Sequence, residues 1–160
     1  MIGVQVGIGL PSSGQDATPE AIAQVAQDAE AAGLGSVWTY ERLFRPTVPI
    51  PLGGEGGPVM DGPEFWATVY DPLETLAYVA ARTERIALGT SVLDGLFSSP
   101  VVLARRLATL DQLSSGRLLA GIGQGWMAQE FEAAGVPMAR RGAGFEEHLQ
   151  AMRPCGVRTP

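Results

Sequence analysis

Apolar positions along the chain form two alternating kinds of run. Val4 to Leu10 is a short β-rich run that stops at Pro11, and Ser36 to Tyr40, "SVWTY", is a second. Between them Ile22, Val25, Ala26 and Ala29 recur at the spacing of one helix face. Thr18 can cap that helix. Pro19, at its first position, has its φ preset and no needed amide, and Gly33 supplies the stop.

The same order then repeats. Asp71-Pro72 opens a helix whose Leu73, Leu76, Ala77 and Ala80 share a face, and Arg85 to Leu93 reads as a third strand. Ser99-Pro100 opens another helix, with Val101, Ala104, Leu107, Ala108 and Leu110 on its apolar side and Gly116 past its end. Arg117 to Ile122 is the fourth strand, and the stretches from about Met127 to Ala134 and Gly144 to Met152 read as helical. Strands alternating with helices predict an α/β fold with a parallel sheet and right-handed crossovers. None of these strands alternates strictly, so the expectation is strands covered on both faces.

One connection breaks the pattern. From Glu41 to Tyr70 the chain is rich in Pro and Gly and shows no periodicity. It follows a strand, which places it at the C-terminal edge of the sheet, where α/β folds bind ligands. It reads as an active-site lid or as a flexible insertion.

Composition narrows the function classes. The 160 residues are 46% hydrophobic and 18% charged, enough for one sizeable core. A net charge of -6 argues against a nucleic-acid surface, which needs clustered cations. All 11 basic residues are Arg, and Lys and Asn are both missing, a pattern read as GC-rich coding. The lone Cys155 rules out an internal disulfide or a Cys-rich metal site. The N-terminal stretch lacks a basic start and a long apolar run, and no segment reaches the roughly 18 apolar residues of a span. The expectation is a cytoplasmic protein without membrane, nucleic-acid or metal partners.

Candidate chemistry centres on "GIGQGW", Gly121 to Trp126. A dinucleotide fingerprint needs a third glycine three places after the second. From Gly121 that position is Trp126, and from Gly123 the pattern fails as well. The Walker lysine is excluded because the chain has none. Two readings remain: a strand end where a flat ligand approaches bare backbone, or a plain tight turn. Serine-hydrolase elbows and zincin helices have no match. His148 sits in a polar helical stretch and is expected at the surface, and Glu130, Glu132, Glu146 and Glu147 are expected to form a hydrated face.

The block Gly89 to Leu93, "GTSVL", followed by "SPVVLARRLATLDQLSSGRLLAGIGQGW" and "EFEAAGVP", resembles the luciferase-like monooxygenase superfamily. More narrowly, it is similar to the deazaflavin (F420)-dependent oxidoreductase branch, over residues 1 to about 152. The resemblance implies a (β/α) barrel of TIM type, of which the first four or so βα units are present. It also implies F420, with FMN as the alternative, bound at the C-terminal ends of the strands for hydride transfer with a small organic substrate.

The implied cofactor-binding residues are Glu41, Thr90, Ser91, Val92, Gly123 and Gly125. Thr90-Ser91-Val92 stands at the family's strand-end bulge, often a non-prolyl cis peptide, and Glu41 stands where members carry an acid. The next family position is often His and here is Arg42; Trp126 replaces a carboxylate found in some members. No catalytic residue is therefore carried over.

A full barrel takes about 250 residues. With four units, edge strands and an apolar strand face would lack partners, and self-association, such as a homodimer, is expected. Residues 153–160 depart from the family. If Cys155 is encoded TGT, the codons from Cys155 to Pro160 read in another frame as Trp-Gly-Pro-Asp-Pro, the family's usual continuation. A frameshift near residue 153 is the expectation drawn from this.

Overall fold

A computed structural model describes residues 4–52 and 56–155. The chain begins with β1 (Gly7–Gly9), α1 (Pro19–Ala31) and β2 (Ser36–Thr39). A small antiparallel pair, β3 (Ile50–Pro51) and β4 (Val59–Met60), and a 3-10 turn at Glu64–Ala67 lie in the long connection, where no regular element was expected. Then follow α2 (Pro72–Ala80), β5 (Ala87–Thr90), β6 (Leu93–Asp94) and α3 (Pro100–Leu113). The chain continues through β7 (Leu118–Leu119), β8 (Ile122–Gly123), α4 (Ala128–Ala133) and α5 (Ala143–Met152).

Two of the three helix starts marked by a cap residue and Pro are capped as the sequence anticipates. Thr18 Oγ1 accepts from the Ala21 amide at 3.1 Å, and Asp71 Oδ1 accepts from the Leu73 amide at 3.0 Å. Ser99 precedes Pro100 but makes no side-chain cap bond. On α3 the buried positions are Leu103, Ala104, Leu107 and Leu110, while Val101 is exposed, so the apolar stripe starts later than its sequence spacing implied.

The main sheet runs in the order β1-β2-β5-β7, all parallel. Its register puts Ile8, Val37, Leu88 and Leu118 on one face and Gly9, Trp38, Gly89 and Leu119 on the other. Val37 and Leu88 are fully buried in a core shared with Ile22 of α1, Leu76 and Val79 of α2, and Leu107 of α3. The opposite face is held by Trp38, whose ring occupies the space a Cβ would need at Gly7 and Gly89.

Coverage of both faces is not what this sheet has. Leu119 is 45% exposed on the Trp38 face, and Ile8 is 42% exposed on β1, an edge strand of the sheet. The strands are also shorter than the apolar runs. Arg85 to Leu93 is interrupted after Thr90, and Arg117 to Ile122 after Leu119, and the continuations β6 and β8 pair as a separate parallel ladder. Among the described residues no helix is long and apolar enough to cross a membrane. Of the tail that departs from the family, residues 156–160 lie outside the described residues.

Candidate functional site

The C-terminal ends of β2, β5 and β7 meet where two strands break. The peptide Ser91-Val92 is cis and both residues are exposed. The break is fastened on both sides: the Ser91 amide donates to Thr39 O at 2.7 Å, and the Leu93 amide donates to Gly121 O at 2.9 Å. Thr90 Oγ1 donates to Gly121 O and accepts from the Gly121 amide, both at 2.9 Å. A side-chain hydroxyl thus replaces the ladder bonds that the break removes. Gly121 is required here, since a Cβ would collide with Thr90 O.

Glu41 joins this corner from β2. Its amide donates to Val92 O at 3.1 Å, and its Oε2 accepts from the Asp94 amide at 2.6 Å. Burial pushes its carboxyl up to about 7; the Asp94 amide opposes the shift, and the charges of Asp94, Asp71 and Glu130 add to it. Asp94 is itself 7% exposed, and burial raises its carboxyl against the pull of Arg42.

Beside Glu41, Arg42 turns into the structure. Its Nη1 lies 2.5 Å from Glu130 Oε2, with the Arg42 side chain 8% exposed and Glu130 fully buried. Glu130 Oε1 also accepts from the Leu43 amide at 2.8 Å. Burial raises this carboxyl, while the Leu43 amide and Arg42 hold it back. The guanidinium carbon stands 4.4 Å from the Trp66 ring centre and 5.6 Å from that of Trp126, a cation between two indoles.

The residues anticipated from sequence fall into two groups. Glu41, Ser91, Val92 and Gly123 are together at the strand ends, with Val92 against the place where Gly123 lacks a Cβ. Thr90 is buried and its hydroxyl is used by Gly121; Gly125, at φ +73°, packs under Phe131 and Phe97. Both glycines thus have protein neighbours that explain them.

Two surface expectations are corrected. Glu130 lies inside because Met127, Glu130 and Phe131 share one helix face, all of it buried, and the carboxylate meets Arg42 there. The spacing of that acid between Met127 and Phe131 was the available signal. His148 is 5% exposed; burial, with Arg140 adding to it, lowers its ring below the usual histidine range. Asp94 was missed altogether, and nothing in its local pattern marks it.

A family model described as luciferase-like monooxygenase matches residues 2–156. The chain is 32% identical over 147 residues to the F420-dependent glucose-6-phosphate dehydrogenase of Amycolatopsis mediterranei, covering 91% of this chain and 38% of that protein. A monooxygenase from Streptomyces bottropensis superposes with TM-score 0.74 at 29% identity, covering 94% of this chain and 42% of the other. The oxygenating constituent of 3,6-diketocamphane monooxygenase from Pseudomonas putida, solved with FMN, shares the fold at TM-score 0.69 and 19% identity, over 92% and 38% of the two chains. The chain spans about half or less of the length of the curated relatives it matches.

Proposed function

The chain belongs to the luciferase-like monooxygenase family, and on that premise we propose that it is a cytoplasmic oxidoreductase using F420 for hydride transfer with a small organic substrate. The observation that carries this reading is the exposed Ser91-Val92 peptide at the sheet's C-terminal edge, with the Glu41 carboxyl hydrogen-bonded beside it. A flat ring fits such a place, since residues 91 and 92 are exposed and Val92 packs into the space that a Cβ at Gly123 would need.

In this reading Ser91, Val92 and Gly123 hold the ring, and Glu41 faces its polar edge. Thr90 and Gly125 act indirectly, by fixing the strand ends on either side. When bound, the deazaflavin supplies the hydride chemistry. The protein's residues orient it, and Trp66 and Trp126 around Arg42 wall the mouth against water. FMN is the second reading, favoured by the FMN-bound relative of the same fold.

The four βα units form the first part of an eight-unit barrel, whose phosphate-holding loops would follow the seventh and eighth strands. The open edge and Leu119 face would be covered by further units or by self-association. Separate titrations of F420 and FMN into the protein, followed by fluorescence, test the assignment. Tighter F420 binding supports it, tighter FMN binding moves the chain to the flavin enzymes, and binding of neither overturns both. Reading the gene past codon 160 in all three frames tests the frameshift; only stop codons or unrelated sequence would refute it.

A further inference from the structure

Trp126 is an exposed aromatic side chain on a rigid mount. It lies just past β8 and is 38% exposed, yet both of its chain neighbours are fixed. Gly125, at φ +73°, has no room for a Cβ against Phe131 and Phe97. Met127 is buried, and its carbonyl accepts the amides of Glu130 and Phe131 at 3.0 and 3.3 Å.

One face of the indole is fixed as well. The Arg42 guanidinium lies over it, 5.6 Å from the ring centre, and is itself held by the buried Glu130 and by Trp66 at 4.4 Å. Because the Arg42 side chain is 8% exposed, that side of the indole is closed, and its open area lies away from the guanidinium. Arg42 follows Glu41, whose amide donates to Val92 O, so the indole belongs to the same corner as the Ser91-Val92 peptide. Leu43 and Phe65 adjoin Arg42 and Trp66 in the chain, and both are exposed, as is Val92. The mouth of the sheet is therefore apolar where it is open, although acids lie beneath it.

A ring held this way has little freedom left to lose when a ligand stacks on it. The guanidinium on one face already draws on the negative charge of the π-system. The free face therefore favours an uncharged ring over a second cation. Arg42 is paired with Glu130 and offers no free charge to an anion. We propose that the open face of Trp126 binds an uncharged aromatic ring of the substrate, stacked at the mouth of the sheet. That this ring belongs to a redox substrate rests on the oxidoreductase reading above, whereas the ring site itself does not.

The test needs no cofactor. Neutral 2-naphthol is titrated into the protein and followed by calorimetry and through the 15N signals of the three indole N–H groups. The signal lost in Trp126→Leu, or in Trp126→Phe, is that of Trp126, and 2-naphthol should shift it in the wild type. Trp126→Leu should weaken binding about tenfold, and Trp126→Phe should recover most of it. Decahydro-2-naphthol, saturated and of similar size, should bind wild type and Trp126→Leu alike. Equal affinity of 2-naphthol for those two proteins, or shifts confined to the other two indoles, overturns the site. Tighter binding of the 2-naphthyltrimethylammonium cation than of 2-naphthol overturns the assignment to uncharged rings. If 2-naphthol binds at Trp126 but neither F420 nor FMN binds, the redox reading falls and the ring site stands. If a cofactor binds and 2-naphthol does not, the ring site falls alone.

Discussion

Arg42 and Glu130 lie 88 positions apart in sequence and meet at 2.5 Å, both enclosed. The pair ties the segment leaving β2 to the start of α4, and Glu130 strengthens the tie by taking the Leu43 amide. Replacing one member leaves the other charge buried and unanswered. Glu130→Gln and Arg42→Met should each destabilise the protein by about 3 kcal/mol, and the double variant by less than their sum. Urea unfolding of the four proteins closes that cycle; additive effects would mean the pair is not coupled.

Arg117 anchors the opposite end of the sheet without any carboxylate. Its Nε reaches Ser114 O, Nη1 reaches Thr83 Oγ1 and Ile86 O, and Nη2 reaches Ala80 O and Thr83 O, at 2.7–3.1 Å. A lysine cannot reproduce that fork. Arg117→Lys should cost about 2–3 kcal/mol in thermal or urea unfolding, while leaving cofactor titrations unchanged because the residue lies far from the strand ends.

Glu30 plays a similar part on α1, where its carboxylate accepts from the amides of Glu84, Arg85 and Ile86 at 2.6–3.2 Å. Its pKa is lowered: burial raises it, but those three amides and the Arg85 charge outweigh burial. A depressed acid contributes stability above its unfolded value and loses it as pH falls through the folded one. Glu30→Gln should therefore flatten the loss of stability between neutral and acid pH, measured as the urea midpoint at several pH values.

Glu41 works with the opposite sign. Its carboxyl is raised from 4.5 to about 7, so the folded state holds a proton that the unfolded chain has released. Its effect on stability is therefore most favourable below pH 4.5 and is lost as pH climbs to about 7. Glu41→Gln should gain on the wild type across that window. Parallel curves for the two proteins would mean that Glu41 titrates normally.

The hydroxyl of Thr90 carries both bonds to Gly121. Thr90→Val keeps the shape and removes them, at about 1–2 kcal/mol in unfolding experiments. Gly121→Ala should be worse, because its Cβ meets backbone that cannot swing away. An unchanged Gly121→Ala protein would show that the break is looser than described.

The repeat of strand and helix was legible because Thr18-Pro19 and Asp71-Pro72 mark their helix starts and cap them as such residues do. The break after Thr90 entered through likeness to a family, which puts a strand-end bulge at Thr90-Ser91-Val92, whereas the break after Leu119 was not legible, since Ile122 is apolar and extends the run. What redirects them is long-range, the bonds from Ser91 to Thr39 and from Leu93 to Gly121. Glu41 and Ser91-Val92 entered through likeness to a family, and the structure places them at one corner. Asp94 and the Arg42-Glu130 pair depend on partners 53 and 88 positions away, which no local pattern encodes. His148 looked exposed among polar neighbours, yet it is buried on a helix that packs against α3.

The most direct measurement is amide hydrogen exchange of the protein with and without F420. Slowed exchange confined to residues 90–94 and 121–126 is the expected footprint of a ring laid on the Ser91-Val92 peptide beside Gly123. Protection elsewhere, for instance between α2 and α3, with residues 90–94 unchanged, would contradict a redox site at the strand ends.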